Sequence, residues 1–287
     1  MKRIKKSTCS GSVAIGVLGF ALFFMPGFLL SQESQPGQQA VPVTKTLPFP
    51  GDVFQVAGRT AFVMMPDKPM ERETIPWVWY APTLKGLPQD AEKWMFRQLL
   101  DEGIAIAGID VGESYGSPAG RQLFQTFYEA MVKERGLSKT PCLLARSRGG
   151  LMHYGWAVEH PECLAGIAGI YPVCDLTSYP GIQRACTAYG MSAEQLESKL
   201  HELNPIELLE PLAKAQVPIF HIQGDSDKVV PLEQNSAELA IRYRKWGGPV
   251  EIDVIKGQGH NMWRGWFESQ TLVDFLISHC KNSPPTK

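Results

Sequence analysis

The stretch Pro141–Ala157, PCLLARSRGGLMHYGWA, constrains the fold more than any other part of the chain. Cys142, Leu143, Leu144 and Ala145 form a short continuous apolar run, as a strand buried on both faces does. Arg146-Ser147-Arg148-Gly149-Gly150 marks a sharp turn, and Leu151, Gly155 and Val158 then recur on one face at helical spacing. Strand, tight turn carrying a serine, then helix is the context in which a serine elbow has meaning, because such a turn lifts the hydroxyl above the carboxyl edge of a sheet. Ala145 stands where a glycine is usual, so the pattern is small-x-Ser-x-Gly. Ala145, Gly149 and Gly150 are small enough to let strand and helix approach closely. The pattern alone is common by chance, and its weight depends on the rest of the chain.

That rest alternates strands with helices. Arg59–Met65 and Pro76–Ala81 are rich in β-branched, aromatic and other apolar residues, bounded by Pro66-Asp67 and Pro82, and read as early strands. Ala91–Asp101 has apolar residues at helical spacing and ends at Gly103. Ile104–Ile109 is a buried strand, with Asp110 to Gly116 as the loop leaving its carboxyl end. Pro118–Arg135 is a helix with proline near its start. Beyond the elbow, Leu164–Val173, Val217–Gln223 and Val250–Ile255 read as strands, and Leu232–Tyr243 and Met262–His279 as helices. The stretch from Asp175 to Leu212 is too long for a simple connection and reads as an inserted cap over the site. This alternation predicts a mostly parallel sheet covered by helices on both faces, with ligands beyond the carboxyl ends of its strands. Ser147 and the loops holding Asp110, Asp225–Asp227 and His260 all fall at that edge.

The first residues are of another kind. Lys2, Arg3, Lys5 and Lys6 precede an apolar stretch, Val13–Leu30, and the polar run Ser31-Gln32-Glu33-Ser34 follows. A basic segment before an apolar one is the layout of an export signal. Its eighteen apolar-region residues are long for a signal and just enough to cross a bilayer, while Pro26 and Gly27 interrupt it and favour cleavage. The expectation is a signal peptide or anchor over residues 1–31, a Gln-, Pro- and Ser-rich linker over 32–50, and one catalytic domain over 51–287. The catalytic part is then exported, to periplasm or exterior, and meets a membrane only through the N-terminal segment if that stays uncleaved. Without those four cations the balance is 24 basic against 29 acidic residues, so no basic patch invites nucleic acid.

Export makes the cysteines worth reading. Cys9 leaves with the signal, and Cys142, Cys163, Cys174, Cys186 and Cys280 remain, an odd number. Cys142 reads as a small core residue. Cys174 and Cys186 bracket a loop-like stretch and could pair or remain two buried thiols. No C-x-x-C spacing or histidine cluster suggests a metal, and no cofactor is implied.

A serine hydroxyl needs a base to take its proton and an acid to orient that base. Of six histidines, His153 and His160 lie on or at the end of the elbow helix, His201 in the cap, His221 in a strand and His279 in the last helix. Each of these has a structural reading. His260 alone sits in a glycine-flanked loop after the last strand, KGQGHNMW, free to reach over the sheet. For the acid, Gly224-Asp225-Ser226-Asp227-Lys228-Val229-Val230-Pro231 offers Asp227 first and Asp225 second, the latter better placed to bind the loop backbone. Asp175 is a third candidate.

Taken together, A-R-S-R-G-G, G-D-S-D-K-V-V-P and G-Q-G-H-N resemble the serine, acid and histidine motifs of the α/β-hydrolase superfamily, in the serine, acid, histidine order of that fold. They most resemble the branch of prolyl-oligopeptidase-like and secreted esterase domains, over about Arg59 to Cys280. The resemblance implies an eight-stranded fold with Ser147, Asp227 and His260 as the triad. The chain departs from the pattern in having no His-Gly-Gly after Pro76–Ala81. The oxyanion donors would then be the backbone N–H of Arg148 and one near Thr83, since Pro82 has none.

A secreted serine hydrolase of carboxylic esters is the leading expectation, with a serine peptidase and a non-catalytic binding module as alternatives. Resembling oligopeptidases carry a large propeller before the catalytic domain, whereas a short linker precedes the first strand here, which favours esters. A binding module would be expected to have lost a triad member. Glu113, Tyr115, Arg146 and Trp263 are the candidate substrate contacts, and Tyr115, Tyr179, Trp263 and Trp266 suit a small-molecule, sugar or aryl ester as well as they suit core packing. Arg148 poses its own question. A cation in the first turn of a helix opposes the macrodipole at about 0.3–1 kcal/mol. It calls for a partner, either an acid such as Glu113 or Asp110 or a developing oxyanion or carboxylate of the substrate.

Overall fold

A hairpin begins the domain. β1 (Asp52–Val56) and β2 (Arg59–Met64) pair antiparallel across the two-residue turn Ala57-Gly58, both with positive φ, 50° and 72°. Two such residues make the turn whose twist matches that of the flanking strands. The sequence pattern predicts β2 and misses β1, because an alanine occupies the turn position where Asn or Gly would have signalled a hairpin.

The computed structural model describes residues 44–68 and 73–282, which belong to one unit running from Pro42 to Lys287. The expected signal or anchor lies outside the described residues, as does most of the expected linker. Among the described residues no helix is long and apolar enough to cross a membrane.

After β2 come β3 (Trp77–Ala81), α1 (Lys93–Asp101), β4 (Ala105–Ile109), α2 (Pro118–Arg135), β5 (Cys142–Arg146), α3 (Gly149–Ala157) and β6 (Gly166–Ile170). Four short helices, α4 (Ile182–Ala185), α5 (Ala193–Ser198), α6 (Leu200–Leu203) and α7 (Glu210–Lys214), fill the long stretch beyond β6. β7 (Ile219–Gly224), α8 (Ser236–Lys245), β8 (Val250–Ile255) and α9 (Gln270–Asn282) complete the domain. The eight strands lie in the order β1-β2-β4-β3-β5-β6-β7-β8, and all pairs from β4 onward are parallel. This is the sheet the α/β-hydrolase resemblance implies.

Residue alternation along β3 shows how the sheet is covered. Trp77, Trp79 and Ala81 face one layer, where Phe124, Phe127 and Met131 of α2 and Tyr154 and Trp156 of α3 are buried. Val78 and Tyr80 face the other, with Phe96 and Leu99 of α1 and Leu272, Val273 and Leu276 of α9. The inserted helices bury Leu176, Ala185, Tyr189 and Leu196 against Leu151 of α3 and Val230 of the acid loop. The insertion is thus fastened to both the elbow helix and the loop after β7.

Two expected helices come out differently, and the open question of Cys174 and Cys186 is answered. The predicted helix Leu232–Tyr243 is interrupted at Asn235, whose side-chain oxygen accepts from Cys174 N (2.9 Å) and Ser178 Oγ (3.0 Å) and ties the insertion to the start of α8. The closing helix begins at Gln270 and not at Met262, because Asn261 Oδ1 takes the Trp263 N–H and the Trp266 indole N–H, both at 3.0 Å, and turns the chain first. Cys174 and Cys186 are separate free thiols, with Cys174 Sγ directed to Pro172 O inside the core and Cys186 Sγ to Gln183 O at the surface.

Candidate active site

Ser147 occupies the tip of the turn between β5 and α3 with a φ of 51°. That left-handed conformation is uncommon for a side chain larger than glycine and is held by its surroundings. Ser147 N–H donates to Ile170 O (3.0 Å), and Ser147 O accepts from Val173 N (2.8 Å) and Gly150 N (2.9 Å). The two glycines are required by close approach: a Cβ on Gly149 would lie 2.1 Å from Ala81 O, and one on Gly150 2.2 Å from Val173 O. Any side chain there would push the elbow away from β3 or from the segment leaving β6.

His260 reaches over the sheet edge from the loop after β8. Its Nε2 lies 2.9 Å from Ser147 Oγ, and its Nδ1 donates to Asp227 Oδ2 at 2.8 Å. A carboxylate only accepts, so Nδ1 carries the proton and the Nε2 lone pair faces the serine hydroxyl. Asp227 is held in turn by Val229 N–H (2.9 Å) and Val230 N–H (2.8 Å), both on Oδ1. The Asp227 side chain is 1% exposed and that of His260 19%, so one end of the relay is dry and the other opens to solvent. Tyr171 packs its ring 4.3 Å from the imidazole, centroid to centroid, and is itself backed by Trp266.

The other candidate acids are engaged elsewhere. Asp225 Oδ1 accepts from Gly257 N (2.7 Å) and Ser226 Oγ (2.9 Å), clamping the acid loop to the turn after β8. Asp175 accepts from Thr177 N (2.8 Å) and Asn204 Nδ2 (2.7 Å) within the insertion. Among the remaining histidines, His153 and His221 are buried, and burial depresses both to about 3, so they stay neutral. His160 rests on Trp156 and His279 on Phe275.

Of the four expected substrate contacts, the structure gathers Glu113 and Tyr115 around Arg148 and turns Arg146 away. Arg146 Nη1 donates to Glu92 Oε1 (2.7 Å), the same oxygen that accepts from Tyr80 Oη (2.8 Å), and its guanidinium lies over the Phe267 ring. Burial first, and then the neighbouring Glu92 charge, push the Tyr80 hydroxyl well above its usual range, which keeps it a donor. Glu92 Oε2 also accepts from Gln89 N (3.0 Å). Arg146 therefore fastens the strand before Ser147 to the segment that follows β3. Arg148 points outward, paired with Glu113 and stacked over Tyr179. Tyr115 has a φ of 48°, and its carbonyl accepts from Tyr189 Oη (2.9 Å), which joins the loop after β4 to the insertion. Trp263 stands half-exposed on the His260 loop, edge-on to Trp266.

The two segments expected to supply the oxyanion donors are in contact. The Arg148 N–H is used by no backbone carbonyl among the described residues. Against it runs the chain after β3, since a Cβ on Gly149 would come within 2.7 Å of Pro82 N. Thr83 is buried, and Lys45 Nζ donates to the carbonyls of Thr83 (3.0 Å) and Leu84 (3.2 Å). Burial lowers the Lys45 ammonium below its usual range, with Asp110 opposing the shift.

Glu92 and Asn235 are the residues sequence reasoning overlooks. Gln89 and Glu92 form a capping box, so the spacing marks Glu92 as a cap. Nothing in the spacing reveals its second partner, Arg146, fifty-four residues away.

A strained serine at a strand–helix elbow, hydrogen-bonded to a histidine that is oriented by a carboxylate in an eight-stranded, mostly parallel sheet, defines a serine hydrolase of the α/β-hydrolase class. The prolyl oligopeptidase family (Peptidase S9) matches residues 127–283, more than half of the chain, and the chain belongs to that family. Solved structures agree on the fold. A puromycin-hydrolysing peptidase of Mycobacterium tuberculosis superposes with a TM-score of 0.62 at 15% identity, over 80% of this chain and 39% of that one. An acylaminoacyl peptidase of Pyrococcus horikoshii gives 0.63 at 13% identity, over 83% and 43%. Est1E from Butyrivibrio proteoclasticus gives 0.60 at 14% identity, over 80% of this chain and 99% of that one. The chain thus spans about two fifths of the length of the two peptidases and matches Est1E almost whole. No curated protein matches it in sequence.

Proposed function

We propose that this protein is an exported hydrolase of carboxylic esters, with Ser147 as nucleophile, His260 as general base and acid, and Asp227 as the orienting acid. The observation that carries this reading is the unbroken relay from Ser147 Oγ through His260 to Asp227, at 2.9 and 2.8 Å. His260 Nε2 takes the serine proton as Oγ attacks the ester carbonyl. The negative oxygen that forms turns toward the Arg148 N–H and the chain at Thr83. The imidazolium returns the proton to the departing alcohol, leaving an acyl-serine, and water repeats the cycle in reverse to free the acid.

Two features support an ester over a peptide. Glu113, the acid at the rim of the site, is paired with Arg148, which leaves less negative charge for the ammonium of a peptide. Tyr115, Tyr179 and Trp263 line the approach with partly exposed rings suited to a sugar or aryl ester. The peptidase reading is second, supported by the family match and by the peptidases among the structural neighbours. The basic and apolar segments at residues 2–30 support export.

A fluorophosphonate probe tests the chemistry: it should label wild type and not Ser147→Ala, and labelling that persists in the variant assigns the nucleophile elsewhere. Acetylated and feruloylated sugar esters set beside aminoacyl arylamides decide the bond. Faster cleavage of the arylamides would reverse the preference. N-terminal sequencing of protein recovered from outside the cytoplasm should begin near residue 32.

A further inference from the structure

Beneath the acid loop runs a line of buried polar side chains that the catalytic relay does not use. Tyr154 Oη of α3 lies 2.8 Å from His221 Nε2, and His221 Nδ1 lies 2.8 Å from Ser236 Oγ. Ser236 Oγ is 2.5 Å from Gln223 Oε1, and Gln223 Nε2 is 2.6 Å from Val230 O. Tyr154, His221, Gln223 and Ser236 are all fully buried, where every donor and acceptor needs a partner.

The chemistry of the groups fixes the direction of the whole line. Val230 O can only accept, so the nitrogen of the Gln223 amide faces it and Oε1 faces Ser236. An amide oxygen also only accepts, so Ser236 commits its one proton to Gln223. Ser236 Oγ must then accept from His221, which places a proton on Nδ1. The bare Nε2 in turn accepts from the Tyr154 hydroxyl. One protonation state satisfies every group, and in it His221 is neutral.

The line ends on the residue whose N–H grips the catalytic carboxylate. Val230 gives its N–H to Asp227 Oδ1 and its carbonyl to Gln223 Nε2. We infer that His221, Ser236 and Gln223 are positioning residues, which hold Val230 and through it the carboxylate that Asp227 presents to His260. The line starts on the elbow helix, so it also ties the acid loop to the element that carries the nucleophile. This inference rests on reading Ser147, His260 and Asp227 as the triad.

Gln223→Glu tests it, because a carboxylic acid matches the amide in shape but donates only when protonated. In its acid form Glu accepts from Ser236 and donates to Val230 O. Once ionised it cannot donate, and it sets a negative oxygen against the Val230 carbonyl. Burial raises a carboxyl strongly, so the change should fall between about pH 7 and about pH 9. The expected result is a descending limb of kcat in that range that wild type lacks, about tenfold deep, with KM unchanged. A profile that superposes on that of wild type would overturn the inference. Gln223→Met removes the donor at every pH; it should lower kcat about tenfold and move the acid limb of kcat/KM to lower pH, as a loosened Asp227 supports the imidazolium less. If the variants do not fold, 15N spectra of wild-type histidines decide: His221 should hold its proton on Nδ1 and not titrate between about pH 5 and about pH 8. A proton on Nε2 would turn the Ser236 proton toward Nδ1, leave Gln223 Oε1 without a donor and sink the proposal. Wild type unlabelled by fluorophosphonate would instead refute the triad while leaving the tautomer result standing.

Discussion

Arg146 and Arg148 stand one residue either side of Ser147, yet the elbow sends them into different surroundings. Arg146 is 11% exposed and pairs with Glu92, which is 0% exposed and shared with Tyr80. Arg148 is 34% exposed and pairs with Glu113 at 43%, over the face of Tyr179. A charge pair in the interior stands or falls together, because removal of one partner leaves the other uncompensated. A pair at the surface is screened and holds little by itself. The comparison separates a buried fastener of the scaffold from a partly exposed surface pair, although both are arginines in one turn.

The buried side should show the largest effect. Arg146→Met leaves Glu92 buried beside the Tyr80 hydroxyl, and urea unfolding should register a loss of about 3–5 kcal/mol. A loss below about 1 kcal/mol would place Arg146 with the surface pairs.

If burial decides, and not the side of the serine, His153 should also weigh on stability, with its replacement relieving a cost where that of Arg146 creates one. It lies in α3, beneath the open side, against Trp79 and Phe124, with neither ring nitrogen hydrogen-bonded among the described residues. Burial lowers its pKa from 6.5 to about 3, so the folded state binds this proton later than the unfolded chain does. Stability from this depressed value is present above the unfolded pKa and declines as pH falls from about 6.5 toward about 3. His153→Phe should remove about 1.4 kcal/mol of destabilisation per pH unit over that window. His221 supplies a second proton of the same kind, so part of the slope should remain. An unchanged slope would mean that His153 is charged or partnered in the fold.

The smallest stability effect belongs to Arg148→Lys, which keeps the charge and loses the planar fork. Melting should shift by the equivalent of less than about 1 kcal/mol. Ester turnover should fall about tenfold if the guanidinium serves the reaction, since a lysine cannot reproduce a two-pronged contact. Unchanged turnover with lowered stability would reduce Arg148 to a partner for Glu113.

The same contrast explains what the sequence made legible. The elbow, the acid loop and the histidine loop are each local, so their residues announce themselves by turn chemistry and apolar flanks, and the α2 boundaries Pro118–Arg135 follow from a proline at one end and glycine at the other. Partners joined by the fold alone left no such mark. Glu92 is hidden at the start of a helical pattern, and the buried His221 and Gln223 are masked by the apolar run of β7 that carries them. Asn235 sits inside a helical pattern that its own hydrogen bonds to Cys174 and Ser178 interrupt. The spacing of Cys174 and Cys186 allowed a bridge, and only the packing of Cys174 into the core tells against it.

Lys45 carries a consequence for where this domain can be cut. It precedes every strand, yet it grips the carbonyls of Thr83 and Leu84 beside the elbow. A recombinant form trimmed to begin at Asp52 would retain the entire sheet and look whole by secondary structure. It would nevertheless have lost the clasp on the Thr83–Leu84 segment, where the second oxyanion donor is proposed. A form that keeps this clasp starts upstream of Lys45, in a stretch that strand-based boundaries assign to the linker.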